Sequence, residues 1–337
     1  MKVLKEFGKS LRNSFVYSPL IKARKKRVAA CHDFKAPFLI TSAGSSGSHL
    51  LGILLDSHPD IMVGPELFLL NKRTIYREYS IFQENISTWL QEGLPGDGPG
   101  KARGFFRGVE FYGWERSMIP HLARETASLK EFLQVFFGVM MVKRNKIMWG
   151  EKLPDNVNSI KEFLELFPDG RIIHLVRDGR DVAVSLLKRN RSIRLAAESW
   201  LNANSRALEW KNDSRVLLVK YEDLVSTPGE VLSSVQKHLG VDFHDLVELR
   251  KKNSYWKKII HNEEDNIHAQ WALNPLFSPI SAASVGGYKT KLSPDNLEEF
   301  CSFSSKQSEF QYTVDGPQSV TEMLNYFGYN LVVPVHP

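Results

Sequence analysis

Two kinds of apolar segment alternate along this chain. Short unbroken runs rich in branched residues, FLIT at 38–41, IMWG at 147–150, RIIHLV at 171–176 and RVLLVKY at 215–221, have the length and composition of buried strands. Between them lie stretches with apolar positions at helical spacing: LLGILLDS, NVNSIKEFLELF, DVAVSLLKR and PGEVLSSVQKHLG. The last carries Pro228 at its start and Gly240 at its end, the usual punctuation of a helix. This alternation predicts an α/β fold of three layers, a central parallel sheet flanked by helices. The one strong breaker segment, QEGLPGDGPGKARG at 91–104, predicts a loop or a boundary. No internal repeat is present.

In parallel sheets, ligands gather at the C-terminal ends of the strands. The first run is followed by a loop from Ser42 to Ser48, SAGSSGS, which enters a helix. Such a loop turns amides and hydroxyls toward one spot, and the helix N-terminus adds partial positive charge, so an anion fits there. A tight strand-to-helix connection is the plainer alternative. IMWG leads into Glu151-Lys152, RIIHLV into Arg177-Asp178-Gly179-Arg180, and RVLLVK into Tyr221-Glu222-Asp223. An anion loop, a lysine, an arginine and an aromatic on one rim point to a ligand with more than one anionic group and a flat base. Taken singly, each has a plainer reading: Arg177 in a salt bridge with Asp178 or Asp181, Lys152 solvated, Tyr221 at the rim of the core.

Charge changes the picture at the N-terminus. Of the overall +6, residues 1–30 hold nine basic side chains against the single acid Glu6, a balance of +8, which leaves −2 for the rest. The body is therefore not basic, and a nucleic-acid partner is not indicated. Val3, Leu4, Phe7, Leu11 and Phe15 fall near helical spacing in this arm, a pattern that permits peripheral contact with an anionic membrane as well as a solvated tail. Cys31 and Cys301 alone argue against a disulfide framework or a cysteine metal site and for a reducing compartment. The longest apolar run, FLQVFFGVMMV at 132–142, is too short to span a bilayer. Together these predict a cytoplasmic protein.

A P-loop kinase is the first enzyme class to weigh, because Gly47 and Gly52 have the Walker separation. Ile53 and Leu54 stand where the phosphate lysine and the magnesium-binding hydroxyl belong, and no strand ends in an acid that completes a magnesium site. GSSGSHLLGILLDSHPD, FPDGRIIHLVRDGRDVAVSLLKR, VKYEDLVSTP and GGYKTKLSP instead resemble four stretches of the PAPS-dependent sulfotransferases, most of all the branch of tyrosylprotein sulfotransferases and bacterial relatives. The second stretch is the most specific. The resemblance covers about residues 38–240 and extends toward 310. It implies a P-loop-like fold and a sulfotransferase domain over 36–330 with an acceptor-side helical insert at 66–145, preceded by the basic arm, 1–35, that the charge balance marks. It also implies a co-substrate, 3′-phosphoadenosine 5′-phosphosulfate, used without a metal.

By the same resemblance Gly44, Ser45, Ser46, Gly47, Ser48 and His49 form the 5′-phosphosulfate loop, while Arg177 and Ser185 hold the 3′-phosphate. Tyr221 lies near the adenine, and Lys289, with Lys291 beside Gly286 and Gly287, belongs to a late basic loop. Arg180 supports the loop structurally. Glu66 stands at the position of the catalytic base and Lys152 at that of the lysine facing the leaving oxygen. Without the resemblance, Glu66 after Pro65 reads as an exposed helix start. His49 is a rival base; His58, before Pro59, reads as packing at a helix end. Ser45 departs from the pattern, since many relatives carry Arg or Lys there. The alternative readings are a relative that binds the donor or its product without turnover and, further off, a nucleotide kinase. The implied acceptor is a small molecule, carbohydrate, lipid or peptide bearing a hydroxyl or amine.

Overall fold

The computed structural model describes residues 17–31, 33–92, 109–253, 255, 278–308 and 316–329. Strands β1 (Phe38–Ser42), β2 (Ile61–Val63), β3 (Met148–Lys152), β4 (Arg171–Val176) and β5 (Val216–Lys220) form a parallel sheet in the order β2-β3-β1-β4-β5. Helices flank it, as the alternation predicts. β1 is buried along its whole length and β4 at all but Arg171, whereas β5, at an edge, is mostly half-buried. The runs FLIT, IMWG and RIIHLV thus lie in interior strands, whose two faces are covered, whereas RVLLVKY, of the same appearance, forms an edge.

β2 has no counterpart among the predicted strands. Three residues between Pro59 and Pro65 cannot set up a strand signature, and the segment is held by long-range contacts instead. It pairs with β3, Ile61 opposite Met148 and Val63 opposite Gly150, and the Val63 amide donates to Asp56 Oδ1 at 2.9 Å. The Arg144 guanidinium grips the same carboxylate through two bonds of 2.8 Å.

Ten helices carry the argument: α1 (17–29), α2 (Ser48–Asp56), α3 (Tyr79–Glu92), α4 (Ile119–Arg124), α5 (Leu129–Arg144), α6 (Ile160–Leu166), α7 (Gly179–Leu187), α8 (Ile193–Leu208), α9 (Tyr221–Ser226) and α10 (Pro228–Leu239). Contacts divide the chain into two compact units. The first comprises Met1–Phe38, Leu55–Glu151 and Lys161–Gly170. Its core is aromatic: Phe82, Phe132, Phe136 and Phe137 are buried, and Phe137 stacks on Trp149 with ring centroids 3.9 Å apart. Each such side chain contributes roughly 1.5–3 kcal/mol by leaving water. The run 132–142 thus lies in α5, which Ser128 caps by accepting the Glu131 amide at 3.2 Å. Among the described residues no helix is long and apolar enough to cross a membrane.

The described part of the basic N-terminal segment is a docked helix. α1 buries Ile21 and Val28; Lys25 pairs with Glu131 at 2.6 Å, and Arg24 donates to the Gly113 carbonyl at 2.9 Å while lying over the Trp114 ring. The charged heads reach acids and carbonyls of the body, so positive charge did not imply a free tail here. The Val3, Leu4, Phe7, Leu11, Phe15 stripe lies outside the described residues, as does the breaker segment from 93 on.

The second unit comprises Leu39–Leu54, Lys152–Ile160 and Arg171–Pro337. Here a buried polar chain ties β1, β4 and α8 together. Asn204 Nδ2 donates to the Trp200 carbonyl at 2.7 Å, which leaves its Oδ1 to accept from His174 Nε2 at 3.1 Å. His174 Nδ1 then accepts from the Thr41 hydroxyl at 2.8 Å. Burial holds this imidazole neutral and pushes its pKa down to about 4.

Candidate donor site

Between β1 and α2 the chain turns through Ala43–Gly47. Ser45, at φ +67°, and Gly47, at φ +93°, are both left-handed, and interleaving such residues curls successive amides toward one point. A side chain at Gly47 would also run into the Tyr221 ring. The hydroxyls of Ser42, Ser45 and Ser46 are buried without a hydrogen-bond partner. An unsatisfied buried donor costs about 1–3 kcal/mol. Three at one strand end and the turn after it are an arrangement that a ligand rich in acceptor oxygens completes.

From β1 the chain crosses to the β3 and β2 side of the sheet, and from β4 to the β5 side. The loops after β1 and β4 therefore face each other where the connections diverge, the usual ligand crevice of an open parallel sheet. Arg177, at the end of β4, bridges them: Nη1 donates to the Ser45 carbonyl at 3.0 Å and Nη2 to the Ser284 carbonyl at 2.9 Å. Its Nε is buried without a partner. The residue is 8% exposed, and its guanidinium lies 4.5 Å from the centroid of the Tyr221 ring. Arg177 is thus not the surface ion pair of the plainer reading. Asp178 pairs with Arg180 instead, at 2.7 Å, and caps α7 by accepting the Arg180 amide at 3.0 Å. Arg180 also covers the Tyr288 ring at 4.0 Å.

Tyr221 opens α9 rather than ending a strand. Its ring is engaged by Gly47 and Arg177, and its hydroxyl is 2.9 Å from Ser284 Oγ. The flat face expected for a base is thus largely occupied by the protein. Ser185 lies half-buried on α7, and Lys289 is exposed on the short helix Tyr288–Lys291. Lys152, buried, ends β3, the strand beside β1. His49 is half-buried in the first turn of α2, and His58 is fully buried, accepting the Asp60 amide at 3.0 Å and so packing at the helix end.

Glu66 is not a helix-start residue. It is half-buried in the irregular segment that leaves the C-terminal end of β2. Its neighbours are pinned on both sides. The Tyr112 hydroxyl donates to the Pro65 carbonyl at 3.1 Å, and the Leu67 amide reaches the buried Glu151 carboxylate at 3.4 Å.

Residues 37–245, more than half of the chain, match the description Sulfotransferase family. The chain belongs to the sulfotransferase family. It is 26% identical over 214 residues to a protein-tyrosine sulfotransferase of Drosophila melanogaster, a match covering 60% of this chain and 37% of that one. The chain thus spans little more than a third of that relative's length. Two solved structures share the fold. The sulfotransferase domain from the curacin biosynthetic pathway gives a TM-score of 0.55 at 19% identity, covering 88% of this chain and 99% of that one. The sulfotransferase domain from the Synechococcus PCC 7002 olefin synthase gives 0.50 at 21%, covering 89% and 97%.

The sequence reading of this sulfotransferase-family chain missed two residues at the candidate site. Ser284, in a run of small residues, accepts from Arg177 at its carbonyl and shares a hydroxyl–hydroxyl hydrogen bond with Tyr221. Asp181, read as a salt-bridge partner, instead accepts two backbone amides from the late loop. The local hint of both is the pair Gly286-Gly287, a turn signal shortly after Ser284 that marks a reversal of the chain without saying what it faces.

Proposed function

We propose that this chain transfers a sulfuryl group from 3′-phosphoadenosine 5′-phosphosulfate to a hydroxyl or amine acceptor. The observation that carries the reading is the trio of buried, unpaired hydroxyls on Ser42, Ser45 and Ser46 together with the unpaired Nε of Arg177, whose Nη1 donates to the Ser45 carbonyl. These donors suit the phosphate oxygens of such a nucleotide. Bound there, the nucleotide supplies an activated sulfuryl group. The loop Gly44–His49 would hold the 5′-phosphosulfate end, Arg177 and Ser185 the 3′-phosphate, and Tyr221 and Lys289 the nucleotide's flank.

Two further residues have chemical roles in this proposal. Lys152 offsets negative charge that grows on the leaving oxygen, the main electrostatic demand of such a transfer. Glu66 takes the proton of the acceptor hydroxyl as general base. The pinning of Pro65 and Leu67 by Tyr112 and Glu151 supports this assignment, because a base must be held in place to act. Ile53 and Leu54 are buried in α2, which leaves the loop without the lysine and magnesium-binding hydroxyl of a nucleotide kinase.

The acceptor side falls to residues 66–145. A tyrosine-bearing peptide is the first acceptor to try, since the Drosophila relative is a protein-tyrosine sulfotransferase; small molecules, carbohydrates and lipids follow. The segment 1–16, ahead of α1, is our candidate for peripheral contact with anionic lipid. The test is transfer of labelled sulfate from the donor, without added metal, to an acceptor panel including tyrosine peptides. Transfer that survives a chelator supports the reading. Binding of donor product without transfer to any acceptor class would support a non-catalytic relative, in keeping with Ser45 where many relatives carry a cation. Phosphate transfer from ATP would overturn the reading.

A further inference from the structure

Asp181 is a carboxylate in the first turn of α7, next to a site that must attract anions, and it is 2% exposed. Both its oxygens accept backbone amides from one distant loop: Gly286 N donates to Oδ2 at 2.7 Å and Tyr288 N to Oδ1 at 2.8 Å. Gly286 adopts φ +70°, which reverses the chain so that both amides reach a single side chain. A Cβ on Gly287 would lie 3.1 Å from Lys291 Nζ and 3.7 Å from Asp181 Oδ1, so the Lys291 ammonium sits over the same turn. Three more side chains fasten this loop. Arg177 and Tyr221 hold Ser284, and Arg180 covers Tyr288. Two of these, Arg177 and Tyr221, belong to the proposed donor seat.

We propose that Asp181 is a positioning residue for nucleotide recognition. By fixing 286–288 it fixes Lys289 and Lys291 on the loop that Arg177 also holds, and so sets affinity for the 3′-phosphorylated nucleotide without touching it. A negative charge placed this near an anion seat would weaken binding if it faced the ligand. Spent on two amides, it instead orders two cations. The inference rests on the donor reading above, deepens it, and can fail separately from it.

The test pairs calorimetry with limited proteolysis, using 3′-phosphoadenosine 5′-phosphate as probe. Asp181→Asn keeps one acceptor oxygen but sets an amide NH2, a donor, against the second backbone N–H. We expect about tenfold weaker nucleotide binding, a raised KM for donor with unchanged KM for acceptor, and several-fold faster tryptic cleavage after Lys289 or Lys291. Gly286→Ala, which strains the turn from the other side, should move all three in the same direction. Wild-type affinity and wild-type cleavage in both variants would overturn the inference while leaving the donor reading intact. Absence of nucleotide binding by the wild-type chain would remove both. Should neither variant fold, amide exchange on the wild type decides. Protection at Gly286 and Tyr288 that deepens with nucleotide supports the proposal, and exchange at the rate of an open coil overturns it.

Discussion

Replacing Arg177 separates the brace that the structure shows from the 3′-phosphate contact proposed for the same side chain. The guanidinium ties the carbonyls of Ser45 and Ser284 at 3.0 and 2.9 Å, packs on the Tyr221 ring, and keeps one buried N–H unpaired. Arg177→Ala removes both ties. With the site 8% exposed, water restores them poorly, so a stability loss of about 2–4 kcal/mol is expected. The contact with a 3′-phosphate is a separate quantity. A charge-assisted bond is worth roughly 1.5–3 kcal/mol, about ten- to a hundredfold in affinity. Calorimetry with 3′-phosphoadenosine 5′-phosphate and with adenosine 5′-phosphate isolates it, because loss of loop order penalises both ligands while loss of the phosphate contact penalises only the first. We expect Arg177→Ala to abolish the preference for the 3′-phosphorylated ligand and Arg177→Lys, which keeps the charge without the planar fork, to fall between. Equal losses for the two ligands would refute the assignment and leave Arg177 as a brace between two loops.

Glu66→Gln should leave nucleotide affinity within about twofold of wild type and lower turnover by about a hundredfold or more, as loss of a general base does; unchanged turnover would pass the role to His49 or to no side chain. His174 gives a pH signature. Its folded pKa, about 4, lies below the ordinary 6.5, so its stabilising effect is complete above pH 6.5 and declines as pH falls toward 4, by an amount on the order of 3 kcal/mol. Denaturant midpoints across that range should fall in the wild type and flatten in His174→Gln, and parallel curves would exclude the histidine as the source. Deleting residues 1–16 should preserve the melting temperature and abolish any salt-sensitive binding to anionic liposomes, whereas deleting 1–30 should destabilise the protein by removing Ile21, Val28 and the Lys25–Glu131 pair. A shortened chain that still sediments with liposomes, or a full-length one that never does, removes the membrane contact.

What could be read from the sequence was whatever the chain encodes locally. RIIHLV followed by RDGRDVAVSLLKR specifies a buried strand, a charged turn and a helix within about twenty residues, and the structure has β4, Arg177 and α7 there. β2 escaped because its definition is not local: three residues become a strand only by pairing with Met148–Gly150. The plainer reading of Glu66 failed for the same reason, since a carboxylate after Pro65 resembles a helix start until a strand is known to end beside it. α1 shows the converse error, in which a dense run of charge masked two buried apolar side chains within a helix whose polar partners lie about a hundred residues away.

The proposed donor seat is the extreme case, because its defining contacts join positions with no sequence relation to one another. Arg177 meets the carbonyls of Ser45 and Ser284, 132 and 107 residues distant, and Asp181 meets Gly286 and Tyr288. Sheet order makes these neighbours: β1 and β4, far apart in the chain, lie side by side, so the loops that follow them share one crevice. The types of residue needed for an anion site were therefore visible as separate strand-end motifs. Which of them grip a ligand and which grip one another depends on that adjacency. The Arg177 and Asp181 variants are informative together because one guanidinium and one carboxylate, four residues apart, fasten the same late loop, and only the guanidinium has a buried N–H left to offer a ligand.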